Sequence, residues 1–180
     1  MSRFVALLRG INVSGQKKIQ MSELKTLCEK LGFQNVETYI QSGNVIFSSK
    51  EKSISKLANK ISLAIKNKFN FDVQVIILTP QEIQQALQNN PFIKKKKEID
   101  RMYVSFLSAV PSIENVNKFN EISFQPEEYS IKEKIIYLFF PNGAGKAKLN
   151  NNFIENKLKV ISTTRNWKTV TTVSKLVSSQ

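Results

Sequence analysis

Histidine is absent from these 180 residues, and that omission excludes more chemistry than any motif supplies. Without an imidazole there is no Ser-His-Asp or Cys-His nucleophile activation, no HExxH zinc site and no histidine general base. Cysteine occurs once, at Cys28, so the chain has no internal disulfide and no ligand set for a structural zinc. Cys28 is in register with Leu24, Leu27 and Leu31 on one helical face and is expected in a core. No apolar run approaches the ~20 residues that cross a bilayer, and Phe4 to Leu8 is too short for a signal-peptide core before Arg9-Gly10. We therefore expect a cytoplasmic protein with no membrane partner and no cofactor. Nothing in the sequence sets an oligomeric state.

Arginine is scarce as well. Only Arg3, Arg9, Arg101 and Arg165 stand among the 27 basic residues, against 14 acidic ones, for a net charge of +13. Such an excess attracts phosphates, nucleic acid or acidic partners. Its lysine character has a second origin, because Lys, Asn and Ile are all abundant, as AT-rich coding would give. Base-specific contacts favour the bidentate arginine fork, so we expect no sequence-specific nucleic-acid recognition, and any non-specific binding to collapse with added salt.

What is present is a globular chain, 41% hydrophobic and long enough to bury a core as one domain or as two small ones. Arg3 to Arg9 reads as a buried strand. Ser22 is placed to cap a helix that runs to Leu31 and stops at Gly32, a typical helix-ending glycine. Asn35 to Gln41 and Asn44 to Ser48 read as strands joined at Ser42-Gly43. Ile54, Leu57, Ala58, Ile61 and Ile65 share a helical face, and Asp72 to Leu78 reads as a strand. The order is β-α-β-β-α-β, the ferredoxin-like arrangement of two helices on an antiparallel sheet.

Thr79-Pro80 opens a short helix with Ile83 and Leu87, and Asn89 to Arg101 reads as a polar connector carrying Lys94 to Lys97. A second cycle follows. Met102 to Ser108 is a strand, Ser112 to Glu121 a helix, Glu128 to Ile131 and Ile135 to Phe140 a hairpin, and Asn151 to Val160 a helix. Thr163 to Trp167 then precedes a last helix on which Val170, Val173 and Val177 share a face, with Asn166 as its cap. We expect an α/β (α+β) fold of tandem ferredoxin-like halves: residues 1–79, a helical and basic connector 80–101, and residues 102–180 with a C-terminal helix.

Four segments could carry chemistry. Gly10-Ile11-Asn12-Val13-Ser14-Gly15-Gln16-Lys17 has the glycine spacing of a phosphate-binding P-loop, but Gln16 stands where the loop lysine should be, and Lys17 is followed by Lys18 instead of a magnesium-binding Ser or Thr. Pro141 to Lys148 fails the same template, with Phe140 at the first glycine position and Ala147 at the hydroxyl position. Both are either loops whose glycines permit positive φ or anion-binding nests. At Gln41, Ser42 and Asn44, amide and hydroxyl groups flank a tight turn, serving a ligand or the turn itself. Arg165 and Asn166 stand before a helix, where an anion could bind, or where Trp167 packs inward and Arg165 pairs with an acidic residue of its own chain.

Leu7-Leu8-Arg9-Gly10-Ile11-Asn12-Val13, Thr38 to Phe47, and Thr163-Thr164-Arg165-Asn166-Trp167 with Thr169-Val170 resemble the signature segments of the bacterial Domain of Unknown Function 1697 family. Met21, Leu24, Asn90-Pro91-Phe92 and Gly145 to Leu149 extend the resemblance along the chain. It implies a tandem ferredoxin-like fold and supplies no activity, cofactor or catalytic residue. Ser14 and Gln16 depart from the usual Gly and Lys of that pattern, and Ala147 from its usual Ser.

The reading that follows is a binding module for a phosphorylated or otherwise anionic ligand, using Arg9, Asn12, Lys18, Gln41, Ser42, Asn44, Arg165 and Asn166. One alternative is a small histidine-independent enzyme acting on an anionic substrate through lysine or through Glu23 or Glu37. Another is an interaction protein whose motifs are structural. An RNA-recognition domain shares the element order, but its third strand needs stacking aromatics, and Ser42 to Phe47 offers only Phe47.

Overall fold

The computed structural model describes residues 1–179. Its elements run β1 (Ser2–Leu8), α1 (Met21–Lys30), β2 (Gln34–Tyr39), β3 (Asn44–Ser49), α2 (Ile54–Phe69), β4 (Val75–Leu78) and α3 (Pro80–Gln88). They continue α4 (Pro91–Lys94), β5 (Met102–Leu107), α5 (Ile113–Asn120), β6 (Glu128–Lys132), β7 (Ile135–Phe139), α6 (Asn151–Leu158), β8 (Ser162–Asn166) and α7 (Trp167–Ser178). Two four-stranded antiparallel sheets result, ordered β2-β3-β1-β4 and β6-β7-β5-β8. This is the ferredoxin-like order twice over, each sheet pairing its first and third strands at the centre.

The chain divides into two compact units, Met1–Gln84 with the segment from Thr172 onward, and Gln85–Thr171. The expected halves ended at 79 and began again at 102. The connector is thus shared between the units, and the last turns of α7 group with the first unit.

In the first unit, β1 is a continuous apolar run because both of its faces are buried, from Phe4 to Leu8. Phe4, Ala6 and Leu8 point to the side on which α1 and α2 lay Leu24, Leu27, Cys28, Leu57, Ile61 and Ile65. Phe33 stacks on Phe47 at 4.4 Å, with Phe4 beside it at 5.9 Å. Each ring so buried contributes about 1.5–3 kcal/mol. The core of the second unit gathers Phe119, Phe124, Phe153 and Tyr129 in edge-to-face contacts over Leu107, Ile136 and Leu138.

Three expectations are corrected and one segment is filled in. Helix α1 begins at Met21, and Gln20, not Ser22, occupies its cap, without a side-chain bond. Asn12 fixes that entry by holding both the N–H and the carbonyl of buried Ile19. Strand β4 begins at Val75 instead of Asp72, because the carbonyls of Asp72 and Val73 accept from Lys17 and Ser62 and are drawn away from the sheet. The connector is not simply polar: Asn90 and Phe92 are buried, and the Asn90 side chain caps α4. Finally, Ser162–Asn166, to which the sequence pattern assigns no element, is the strand β8. Its polar sequence conceals a strand whose Ser162 and Thr164 hydroxyls both donate to Asn151 while the backbone pairs with β5.

Candidate functional site

In the first unit the expected residues gather around one turn. The β2–β3 hairpin reverses through Ile40 and Gly43, both at positive φ (49° and 79°). Gly43 has no alternative there, because a Cβ would lie 2.8 Å from Leu8 Cβ and 2.8 Å from Ile11 Cδ1. Asn44 is fully buried and donates to the Tyr39 carbonyl and to the Ser42 hydroxyl, two bonds made within the turn itself. Asn12 donates both amide hydrogens, to the Ile19 carbonyl at 2.9 Å and the Gln41 carbonyl at 2.8 Å, and accepts from the Ile19 N–H. Its donors are spent on tying the β1–α1 loop to the hairpin.

Beside that knot lies a cleft of about 640 Å³ lined by Asn12, Lys18, Gln41 and the opening of α1 from Gln20 to Glu23. Lys18 is its only lining cation, and Glu23 brings a carboxylate that pairs with Lys68 at 3.5 Å. Three of the eight expected residues, Asn12, Lys18 and Gln41, therefore share a cleft. Arg9 is at the end of β1, where its backbone N–H donates to the Gln74 carbonyl.

Arg165 and Asn166 belong to the second unit. Asn166 caps α7 as expected, accepting from the Thr169 N–H at 2.8 Å. Arg165 is buried in β8 and donates to the Thr163 hydroxyl and the Thr164 carbonyl. Burial pushes its guanidinium pKa down to about 10. Trp167 is buried too.

A larger cleft, about 800 Å³, opens in the second unit, lined by Arg101, Gln125 to Glu127 and the β7–α6 loop from Phe140 to Lys148. The loop is built by a few bonds. Phe140 N–H donates to the Arg101 carbonyl, which ties the end of β7 to the start of β5. Gly143, at φ +83°, donates to the Phe140 carbonyl and closes a tight turn. Glu127 then accepts the N–H of Lys148 at 2.7 Å and of Leu149 at 3.0 Å, one on each carboxylate oxygen. A Cβ at Gly143 would lie 3.0 Å from Arg101 Nη1, so the missing side chain leaves room for the guanidinium against the loop.

Three cations thus face this cleft, and the side chains of Arg101, Lys146 and Lys148 have no hydrogen-bond or ion-pair partner among the described residues. The excess charge of the chain does not single the place out. The first unit carries thirteen basic and six acidic residues, and the second fourteen and eight. What distinguishes these three is that one concavity gathers them. In the sequence they are concealed because the Pro141 to Lys148 loop departs from the phosphate-loop template and Arg101 lies far from it in the chain. The available signal was Arg101, one of only four arginines.

No group of His, Cys, Asp and Glu among the described residues could hold a metal ion, and no described helix is long and apolar enough to cross a membrane. Among solved structures, the conserved bacterial protein SP0830 from Streptococcus pneumoniae is similar over 98% of this chain and 99% of its own, at 25% identity and a TM-score of 0.76. No curated protein matches. The sequence model described as protein of unknown function (DUF1697) matches residues 1–137, which takes in both first-unit signature segments and leaves the Phe140 to Lys148 loop beyond it. A match over that share of its length means that the chain belongs to the DUF1697 family.

Proposed function

We propose that this protein is a binding module for a small anionic ligand, held in the β7–α6 cleft of the second unit. The observation that carries this reading is the set of three unpaired cations, Arg101, Lys146 and Lys148, lining one concavity. Like charges brought together repel one another, and an anion among them turns that repulsion into attraction. The volume lies in the range of small-molecule sites.

Binding is favoured over catalysis by what surrounds the cations. The lining contains one carboxylate, and both of its oxygens are committed to backbone N–H groups, which leaves no carboxylate pair for acid and base roles. The cleft at the start of α1 is the weaker candidate, since its lining holds one cation, Lys18, with the Glu23 carboxylate.

Thermal unfolding with and without inorganic phosphate tests the reading. At ten times the dissociation constant, ligand binding stabilises by about 1.4 kcal/mol, a rise of a few degrees in Tm. The rise should disappear in a Lys146→Ala, Lys148→Ala double variant. An equal rise in wild type and variant would overturn the assignment.

A further inference from the structure

The cleft distinguishes among anions by charge and by shape. Three cationic side chains face it against the single carboxylate of Glu127, a formal excess of two positive charges. We propose that its ligand is a small phosphomonoester, bound through a dianionic terminal phosphoryl group between Arg101, Lys146 and Lys148. The inference rests on the anion-binding reading above and narrows it to one chemical class.

Charge is the first argument. A phosphomonoester carries about −1.5 to −2 near neutrality and presents three acceptor oxygens, whereas a carboxylate, a sulfate ester or a phosphodiester carries a single negative charge. The donor set is the second. A planar guanidinium with two flanking ammonium groups suits a phosphoryl group, the arginine giving paired hydrogen bonds and the lysines point charges. The loop makes room for that arginine, since Gly143 lacks the Cβ that would come within 3.0 Å of Nη1.

The remaining lining fits an organic group and not a polymer. Pro126, Pro141 and Ala147 supply apolar surface, while the exposed amides of Gln125 and Asn142 can meet polar substituents. The cations come from one turn before β5 and one loop after β7, so they mark a point instead of the track that a nucleic-acid backbone follows. The bound phosphoryl group faces Arg101 from the turn before β5, Lys146 and Lys148 from the β7–α6 loop, and Glu127 from the turn before β6.

Isothermal titration calorimetry on the full chain separates the outcomes, with phenyl phosphate, phenyl sulfate, methyl phenyl phosphate and a single-stranded oligonucleotide as probes. Phenyl phosphate should bind about tenfold or more tightly than either monoanion of similar shape. Its affinity should fall about tenfold between about pH 7.5 and pH 5, because the second phosphate proton binds with a pKa of about 6. Arg101→Ala and Gly143→Ala should each weaken it, and Lys25→Ala, on an exposed face of α1, should leave it unchanged, with circular dichroism confirming that every variant is folded. Equal affinity for all three small probes with no pH dependence would overturn the phosphomonoester and keep anion binding. An oligonucleotide that binds more tightly than phenyl phosphate would also overturn it. Absence of heat with any anion would remove both readings.

Discussion

Replacing Gly43 with alanine tests the packing that shapes the first unit, and two other glycines supply its control. Gly43, Gly15 and Gly32 all have positive φ, at 79°, 75° and 84°. An L side chain in that region costs about 1–2 kcal/mol, partly offset by the smaller entropy of the unfolded chain, and this part is common to all three. The surroundings differ. A Cβ at Gly15 or Gly32 meets nothing within 4 Å, whereas at Gly43 it meets Leu8 Cβ and Ile11 Cδ1, both at 2.8 Å. Ile11 can rotate, but Leu8 Cβ is fixed to a strand whose N–H donates to the Gly43 carbonyl at 2.9 Å. Relief therefore requires β1 and the hairpin to separate. We expect an overpacking cost of about 1–3 kcal/mol beyond the shared conformational one. Urea unfolding followed by circular dichroism should show Gly43→Ala with the larger loss of midpoint. If the three alanine variants lose the same stability, the close approach of hairpin and strand is not a constraint, and the argument is refuted.

Other perturbations address the remaining features. Asn12→Ala removes the amide that holds Ile19 and Gln41, and should cost about 2–3 kcal/mol in urea unfolding, with Asn12→Asp recovering only part by keeping the acceptor for Ile19. Glu127→Ala strips the acceptor from the Lys148 and Leu149 N–H groups and should cost about 1–3 kcal/mol, read also as faster amide exchange at those residues. Burial pushes the Cys28 thiol up to about 12, so a disulfide reagent near neutrality should modify it only on unfolding; rapid labelling of the native protein would contradict its placement. Because the native thiol holds its proton between the ordinary value of 9.0 and about 12 while the unfolded thiol does not, Cys28 stabilises the fold below pH 9 and loses that contribution as pH rises toward 12. Cys28→Ala should flatten the fall in midpoint over that range.

Element order was legible because each half alternates period-two and helical patterns around apolar positions such as Ala6, Leu8, Val45 and Phe47, all fully buried. Strand β8 was not, since Ser-Thr-Thr-Arg-Asn offers no apolar alternation and is held by hydroxyl bonds to Asn151 and by pairing with β5, both invisible in the chain. The start of α1 was displaced for a similar reason. Asn12 sets it from outside the helix, a contact that no capping pattern encodes. Around the hairpin, the alternative of turn chemistry at Asn44 follows from its own short-range bonds to Tyr39 and Ser42. The β7–α6 cleft was the least legible feature. Arg101 lies more than forty residues before Lys146, and only the pairing of β5 with β7 brings the turn and the loop to one end of the sheet.

The most direct test of anion binding in that cleft is a proton–nitrogen correlation spectrum of the labelled protein titrated with inorganic phosphate. Saturating shifts are expected at the amides of Gly143, Gly145, Lys146, Ala147 and Lys148 and at the Arg101 guanidinium, all with one dissociation constant, while Lys18 to Glu23 stay unmoved. Shifts confined to Lys18 to Glu23, or spread without saturation over the exposed lysines, would contradict it.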